Sequence, residues 1–224
     1  MNSEQKPACP NGEASCPIYT EVDQLRSKVA TLSTQVRLDF LTGLFNKQHL
    51  IYSLEQEMER TQRTHQPTTL ILLDGDHFKS VNDNHGHVVG DKVLAHLGRI
   101  IQDTVRKIDI PCRYGGEEFA VVLPSTPLAM GIQVAERIRT QIETSPLYLA
   151  DGEPLYITVS LGVDTHYFHM SPRAEDFIRL ADKLLYLAKE NGRNQVCHGD
   201  TGMAGRTTVT SEEKDALFSS TFKS

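Results

Sequence analysis

The chain has 224 residues, 39% of them hydrophobic and 23% charged, with no tryptophan. That is the composition of one globular domain of ordinary size with extensions, large enough to bury a core without disulfides. Twenty-three Lys plus Arg against 29 Asp plus Glu leave a formal net charge of −6, which argues against a nucleic-acid partner, because backbone binding needs clustered basic charge. The longest apolar runs, such as Leu70-Ile71-Leu72-Leu73, fall far short of a membrane span, and residues 1–10 carry no apolar signal core. A cytoplasmic protein with no membrane contact is therefore expected. Cys9, Cys16, Cys112 and Cys197 form no CxxC pair, so no disulfide framework is expected. Cys9 and Cys16 read as incidental, the alternative being a redox or metal sensor.

Residues 1–17 are polar and rich in Pro and Gly, a flexible arm. In residues 18–38 the apolar positions Val22, Leu25, Val29, Leu32 and Val36 follow the alternating three-and-four spacing of a heptad seam. So narrow a stripe predicts a helical stalk that dimerises as a coiled coil; the alternative is a helix folded back on its own domain. From residue 39 helix and strand alternate. Helical periods cover 46–64, 88–105, 127–144 and 172–191, the last closed by Gly192. Strands are predicted at 68–73 and 155–163, and a hairpin at 108–114 and 119–123 about a Gly-Gly pair. A hairpin sheet with helices covering one face is an α+β sandwich of the ferredoxin-like kind, expected over residues 39–197. Residues 198–224, polar and rich in Gly, Ser and Thr, read as a mostly disordered tail.

Chemistry concentrates at two places. Leu72-Leu73-Asp74-Gly75-Asp76 sets two carboxylates at the end of an apolar strand, where such residues hold Mg²⁺ or, alternatively, cap the helix that begins near His77. Arg113-Tyr114-Gly115-Gly116-Glu117-Glu118-Phe119 sets two more carboxylates after a glycine turn that lets backbone approach a ligand. Acidic tips facing each other repel unless a cation lies between them. The other reading of Glu117 and Glu118 is a solvated hairpin tip.

Gly115-Gly116-Glu117-Glu118-Phe119 resembles the signature pentapeptide of the GGDEF family of diguanylate cyclases, in its GGEEF form. Further blocks follow the family's order. Asp39-Phe40-Leu41-Thr42-Gly43-Leu44-Phe45-Asn46 resembles DxLTGLxN, with Lys47 where Arg is usual. Asp74-Gly75-Asp76-His77-Phe78-Lys79-Ser80-Val81-Asn82-Asp83 resembles DxDxFKxxND, with Gly86-His87 and Gly90-Asp91 after it, and Lys189-Glu190-Asn191-Gly192-Arg193-Asn194 resembles KxxGRN. The resemblance implies a palm-type nucleotidyl cyclase fold and condensation of two GTP into the second messenger cyclic di-GMP. It implies metal ligation by Asp74, the Gly75 carbonyl, Glu117 and Glu118, with Mg²⁺ or Mn²⁺ as the cation. Glu117 is then the proton acceptor, and Glu118 and Lys79 are catalytic with it.

By the same resemblance Asn82 and Asp91 read guanine, and Phe78 and Lys79 line the triphosphate loop. His87 contacts substrate or supports that loop, and Lys189 and Arg193 neutralise phosphate. Glycine at position 75 replaces a bulkier aliphatic residue, which leaves the carbonyl but costs rigidity. His77, His85 and His87 lack a zinc spacing. Arg106 and Asp109 resemble the family's RxxD inhibitory product site, with Arg137 as a further contact; the plainer reading is an Arg–Asp pair finishing a helix. A homodimer or higher assembly, with a regulatory protein on the stalk, is expected. The competing function is a degenerate receptor that only binds GTP or cyclic di-GMP, but every acidic and basic motif residue of an active enzyme is present. A template polymerase or single-nucleotide cyclase is disfavoured by the lack of a basic channel.

Overall fold

Every residue of the strand Thr68–Gly75 is buried, which explains why it reads as a continuous apolar run rather than an alternating one. The computed structural model describes residues 21–22, 24–27, 37–170 and 173–199. It divides into two units, residues 1–38 and 39–224. In the first, residues 21–22 and 24–27 are helical; Val29, Leu32 and Val36 of the heptad, and Cys9 and Cys16, lie outside the described residues, as do residues 200–224 of the predicted tail.

In chain order the second unit contains α1 (Lys47–Thr64), β1 (Thr68–Gly75), α2 (Phe78–His85), α3 (His87–Thr104), β2 (Ile110–Gly115) and β3 (Glu118–Leu123). There follow α4 (Leu128–Thr144), β4 (Leu147–Tyr148), β5 (Pro154–Leu155), β6 (Val159–His166), α5 (Ala174–Glu190) and β7 (Val196–His198). The main sheet has the order β2-β3-β1-β6-β7. Its pairs are antiparallel except β6 with β7, so the α+β, mainly antiparallel fold expected from the sequence is the fold observed.

The helices cover both faces of the sheet, not one. Side chains of β1 alternate: Ile71 and Leu73 pack with Val93, Leu97, Ile101, Ala135 and Ile138 of α3 and α4. Leu70 and Leu72 pack with Leu50, Leu54 and Met58 of α1 and Phe177, Ala181 and Leu185 of α5. A strand with two apolar faces needs a cover on each.

The predicted strand at 155–163 is also divided. Pro154 and Leu155 pair with Leu147 and Tyr148 in a separate two-stranded sheet, and β6 begins at Val159. The chain leaves the ladder between them because Thr158 is drawn to Asp76: its carbonyl accepts the Asp76 N–H at 2.9 Å and its hydroxyl donates to Asp76 Oδ2 at 2.7 Å. The short strand β7 carries no legible pattern, being three residues held at the edge of β6.

Candidate active site at the end of the central strand

Asp74 and Glu118 are direct partners across the β1–β3 ladder, so their side chains leave the sheet on one face, side by side. That face is the one α5 covers. Asp74 is 6% exposed, and Lys189 from the last turn of α5 places Nζ 2.9 Å from its Oδ1. Glu117 sits one residue before, in a two-residue turn. Gly116 takes the first central position with φ 52°, the conformation that closes such a hairpin and that a side chain would oppose. The carbonyl of Glu117 accepts the N–H of Gly75 at 3.3 Å, tying the turn to the end of β1.

Three carboxylates therefore share one ammonium. Burial, and then the charge of Asp76, push the Asp74 carboxyl above its ordinary range against the pull of Lys189. Burial, then the charge of Asp74, raise both Glu117 and Glu118. Among the described residues no group of three or more His, Cys, Asp or Glu side chains forms a metal cage by itself. The donor set is nevertheless all oxygen and under-neutralised. It suits a hard cation that completes its shell with phosphate and water, as Mg²⁺ does, and not a His- or Cys-ligated zinc. His77, His85 and His87 are all exposed around α2.

The residues expected to meet a nucleotide stand on α2 and α3 and just beyond α5. Phe78 buries its ring in the core, 5% exposed, so what it offers a ligand is its backbone amide. With Lys79, which is exposed, it stands in the first helical turn, where N–H groups lack intrahelical acceptors and attract anions. A Cβ on Gly90 would overlap the Asn82 amide; the missing side chain is what lets Asn82 of α2 lie against α3. Asp91, exposed, is the next residue on α3, and His87, also exposed, begins that helix. Arg193 is exposed beyond α5 with φ 64°, and its charge acts on Asp74.

Asp76 has a different task from Asp74. It is 5% exposed and accepts hydrogen bonds from Ser160 Oγ at 2.7 Å, Thr158 Oγ1 at 2.7 Å and the Asn194 backbone N–H at 3.0 Å. Both oxygens are thus occupied by the protein, and the expectation that Asp76 holds a metal or caps the helix after it gives way to an anchoring role. The sequence singles out no role for Asn194 or Arg113, and no anchoring role for Asp76. Asp76 and Asn194 stand inside the motif blocks and Arg113 two residues before the pentapeptide, which was the available signal.

Arg106 and Asp109 lie apart from this cluster, in the turn between α3 and β2. Asp109 is buried, 6% exposed, and its Oδ2 accepts the Arg106 N–H at 2.8 Å while its own N–H donates to the Arg106 carbonyl at 3.0 Å. Asp109 shapes the turn and leaves the exposed Arg106 side chain outward. Arg137 of α4 donates to the Thr104 carbonyl at 2.8 Å and lines, with Asp103 and Gln141, a groove of about 440 Å³ between α3 and α4.

Residues 36–195 match the family described as "Diguanylate cyclase, GGDEF domain". The chain is 39% identical over 191 residues to the response regulator PleD of Caulobacter vibrioides, covering 82% of this chain and 42% of that protein. Among solved structures it resembles the diguanylate cyclase SiaD of Pseudomonas aeruginosa, determined in complex with its activator SiaC. That match has a TM-score of 0.69 at 35% identity, over 80% of this chain and 69% of SiaD. It also resembles the coiled coil and GGDEF domain of DgcB from Caulobacter crescentus in complex with c-di-GMP, with a TM-score of 0.70 at 29% identity, over 80% of this chain and 94% of that one. The chain spans less than half the length of the curated relatives it matches. No helix among the described residues is long and apolar enough to cross a membrane.

Proposed function

Because the chain belongs to the GGDEF family of diguanylate cyclases, we propose that it condenses two GTP molecules into cyclic di-GMP with release of two pyrophosphates. The observation that carries this reading is the pairing of Asp74 with Glu118 across the ladder, with Glu117 adjacent and Lys189 the ammonium at Asp74. Asp74, the Gly75 carbonyl, Glu117 and Glu118 would hold Mg²⁺ or Mn²⁺, which when bound lowers the pKa of the attacking 3′-hydroxyl and offsets charge on the phosphate.

The chain's own residues divide the remaining work. Phe78 and Lys79 bind the triphosphate through first-turn amides and the lysine charge. Lys189 and Arg193 stabilise the phosphate charge that grows as pyrophosphate departs. Glu117 accepts the 3′-hydroxyl proton. Asn82 and Asp91 read guanine, Asp91 accepting from N1–H and the exocyclic amine; adenine offers no such donors and would leave that carboxylate unpaired. His87 supports the loop at the start of α3.

The product has two-fold symmetry and one site holds one GTP, so the working species is a pair of domains facing each other. Arg106, positioned by Asp109 and neighboured by Arg137, binds cyclic di-GMP through guanine O6 and N7 and its phosphates and inhibits the enzyme. The SiaD complex with an activator supports a regulatory protein as a partner here. The test is direct: the chain is incubated with GTP and Mg²⁺ across a dilution series and the product identified by mass. Cyclic di-GMP, formed with specific activity that rises with enzyme concentration, is the expected result. Absence of that product, or formation of a linear or mononucleotide product, overturns the reading.

A further inference from the structure

Between α5 and β7 the backbone passes through three consecutive left-handed residues, Gly192 (φ 109°), Arg193 (φ 64°) and Asn194 (φ 45°). Two of these carry side chains, and such a conformation persists only where its surroundings over-determine it. The Arg193 N–H donates to the Ala188 carbonyl at 3.0 Å, and Asn194 supplies the rest of the determination. Its N–H donates to Asp76 Oδ2 at 3.0 Å, its Nδ2 donates to Glu143 Oε1 at 2.8 Å, and its Oδ1 accepts from Arg139 Nη1 at 3.0 Å. Arg139 is itself fixed on α4, donating through Nε to Glu136 Oε2 and through Nη1 to Glu143 Oε2, each at 2.8 Å. Asp76 is fixed in turn by Ser160 and Thr158. One asparagine thus joins the ends of β1 and β6 to α4. Its neighbour Arg193 is exposed, and among the described residues its guanidinium has no hydrogen-bonded partner.

We propose that Asn194, clamped between Asp76 and the Arg139–Glu143 pair, is a positioning residue that holds Arg193 ready for the phosphates of GTP. This rests on the reading of the site as a GTP site. An arginine on a free loop would lose backbone and side-chain freedom on binding; a backbone already fixed removes part of that cost. The clamp acts through Arg193 alone, and this distinguishes it from a general contribution to folding.

The probe is 3′-deoxy-GTP with Mg²⁺, which fills the site but lacks the hydroxyl needed for condensation, measured by calorimetry on the full chain. Arg193→Ala is expected to weaken binding about tenfold, the scale of one charge-assisted contact. Asn194→Ala should weaken it by a similar factor, and Glu143→Ala, on the surface of α4, should shift it in the same direction by about threefold. The double variant Arg193→Ala/Asn194→Ala should bind no more weakly than Arg193→Ala alone. Unchanged binding in both Asn194→Ala and Glu143→Ala overturns the clamp. So does an Asn194→Ala loss of equal size with and without Arg193, which would mark a structural role only. Failure of the unmodified chain to bind the analogue overturns the GTP site itself, a different and recognisable result.

Discussion

The guanidinium of Arg113 lies 3.3 Å from both carboxylate oxygens of Asp39 and at the same time donates to the Gly116 carbonyl, through Nε at 3.1 Å and Nη2 at 2.9 Å. One side chain therefore fastens Asp39, the first residue of the second unit, to the turn that carries Glu117 and Glu118. Asp39 is prepared for it: although burial opposes its charge, bonds from the Thr42 hydroxyl and N–H, and then Arg113, hold its carboxyl below the usual range.

Replacement of Arg113 by Ala should cost about 1–3 kcal/mol of stability, the range for a partly buried charge-assisted bond left without its partner. It should also lower GTP turnover more than the stability loss explains, because the hairpin turn loses its brace. Thermal unfolding beside steady-state turnover measures both. Turnover that falls only in proportion to the folded fraction would show that Arg113 serves the fold alone.

Asp74→Asn and Glu118→Gln should each abolish turnover while the fold persists, since shape is kept and ligating charge removed. A second consequence separates charge from folding. Without divalent cation, Glu118→Gln removes one of two like charges set directly opposite, so the variant should be more stable than the unmodified chain by about 0.5 kcal/mol. Added Mg²⁺ with a GTP analogue should raise the unfolding temperature of the unmodified chain and barely move that of the variant. A variant less stable than its parent in EDTA would contradict the repulsion.

Gly75 occupies a position where a side chain has room. A Cβ there would meet Phe78 Cβ at 3.6 Å, Ile157 Cδ1 at 3.7 Å and Leu97 Cδ1 at 3.9 Å, all ordinary contacts. Gly75→Ala should therefore stabilise the domain by about 0.5–1 kcal/mol by restricting the unfolded chain. Denaturant unfolding at constant slope reads this; a lower midpoint would mean that the strand end needs glycine for another reason.

Arg106→Ala should relieve inhibition by cyclic di-GMP without lowering the initial rate, because the turn lies away from the Asp74 cluster. Asp109→Ala should do the same less cleanly, as it removes a buried bond to the Arg106 N–H. Inhibition curves for the three proteins decide it. Identical curves would remove the product site from this turn.

His166 gives the fold an acid limit. It is 1% exposed, its Nδ1 has no hydrogen-bond partner among the described residues, its Nε2 lies 3.4 Å from Gln62 Nε2, and the Phe177 ring packs against it. Burial, then the neighbouring charge of His169, hold its pKa below the ordinary histidine value of 6.5. The unfolded chain takes up a proton that the native state refuses, so this contribution is complete above pH 6.5 and shrinks as pH falls below it. His166→Phe should flatten the loss of unfolding temperature between about pH 7 and pH 5. An unchanged slope would assign acid sensitivity to other groups.

Residue types in local order were enough to place the β1 run and the Gly-Gly hairpin, because periodicity and turn chemistry act over a few residues; that Asp74 shares a site with Glu117 and Glu118, distant in sequence, was implied by the family resemblance. The same local record misplaced the helices on one face, ran 155–163 as one strand and passed over β7. Those features depend on partners distant in sequence: α5 against β1, Thr158 drawn to Asp76, three residues held at an edge. Asp74 and Asp76 show the division most clearly. Two residues apart and both acidic, they share one local pattern, and the family resemblance alone set Asp74 apart as the metal ligand. The tertiary structure gives the physical reason for separating them: Asp76 has three hydrogen-bond donors, the hydroxyls of Thr158 and of Ser160 in β6 and the Asn194 N–H, while Asp74 stands beside Glu118 with Lys189. A carboxylate saturated by the protein becomes an anchor, and one left short of positive charge remains free to hold a cation.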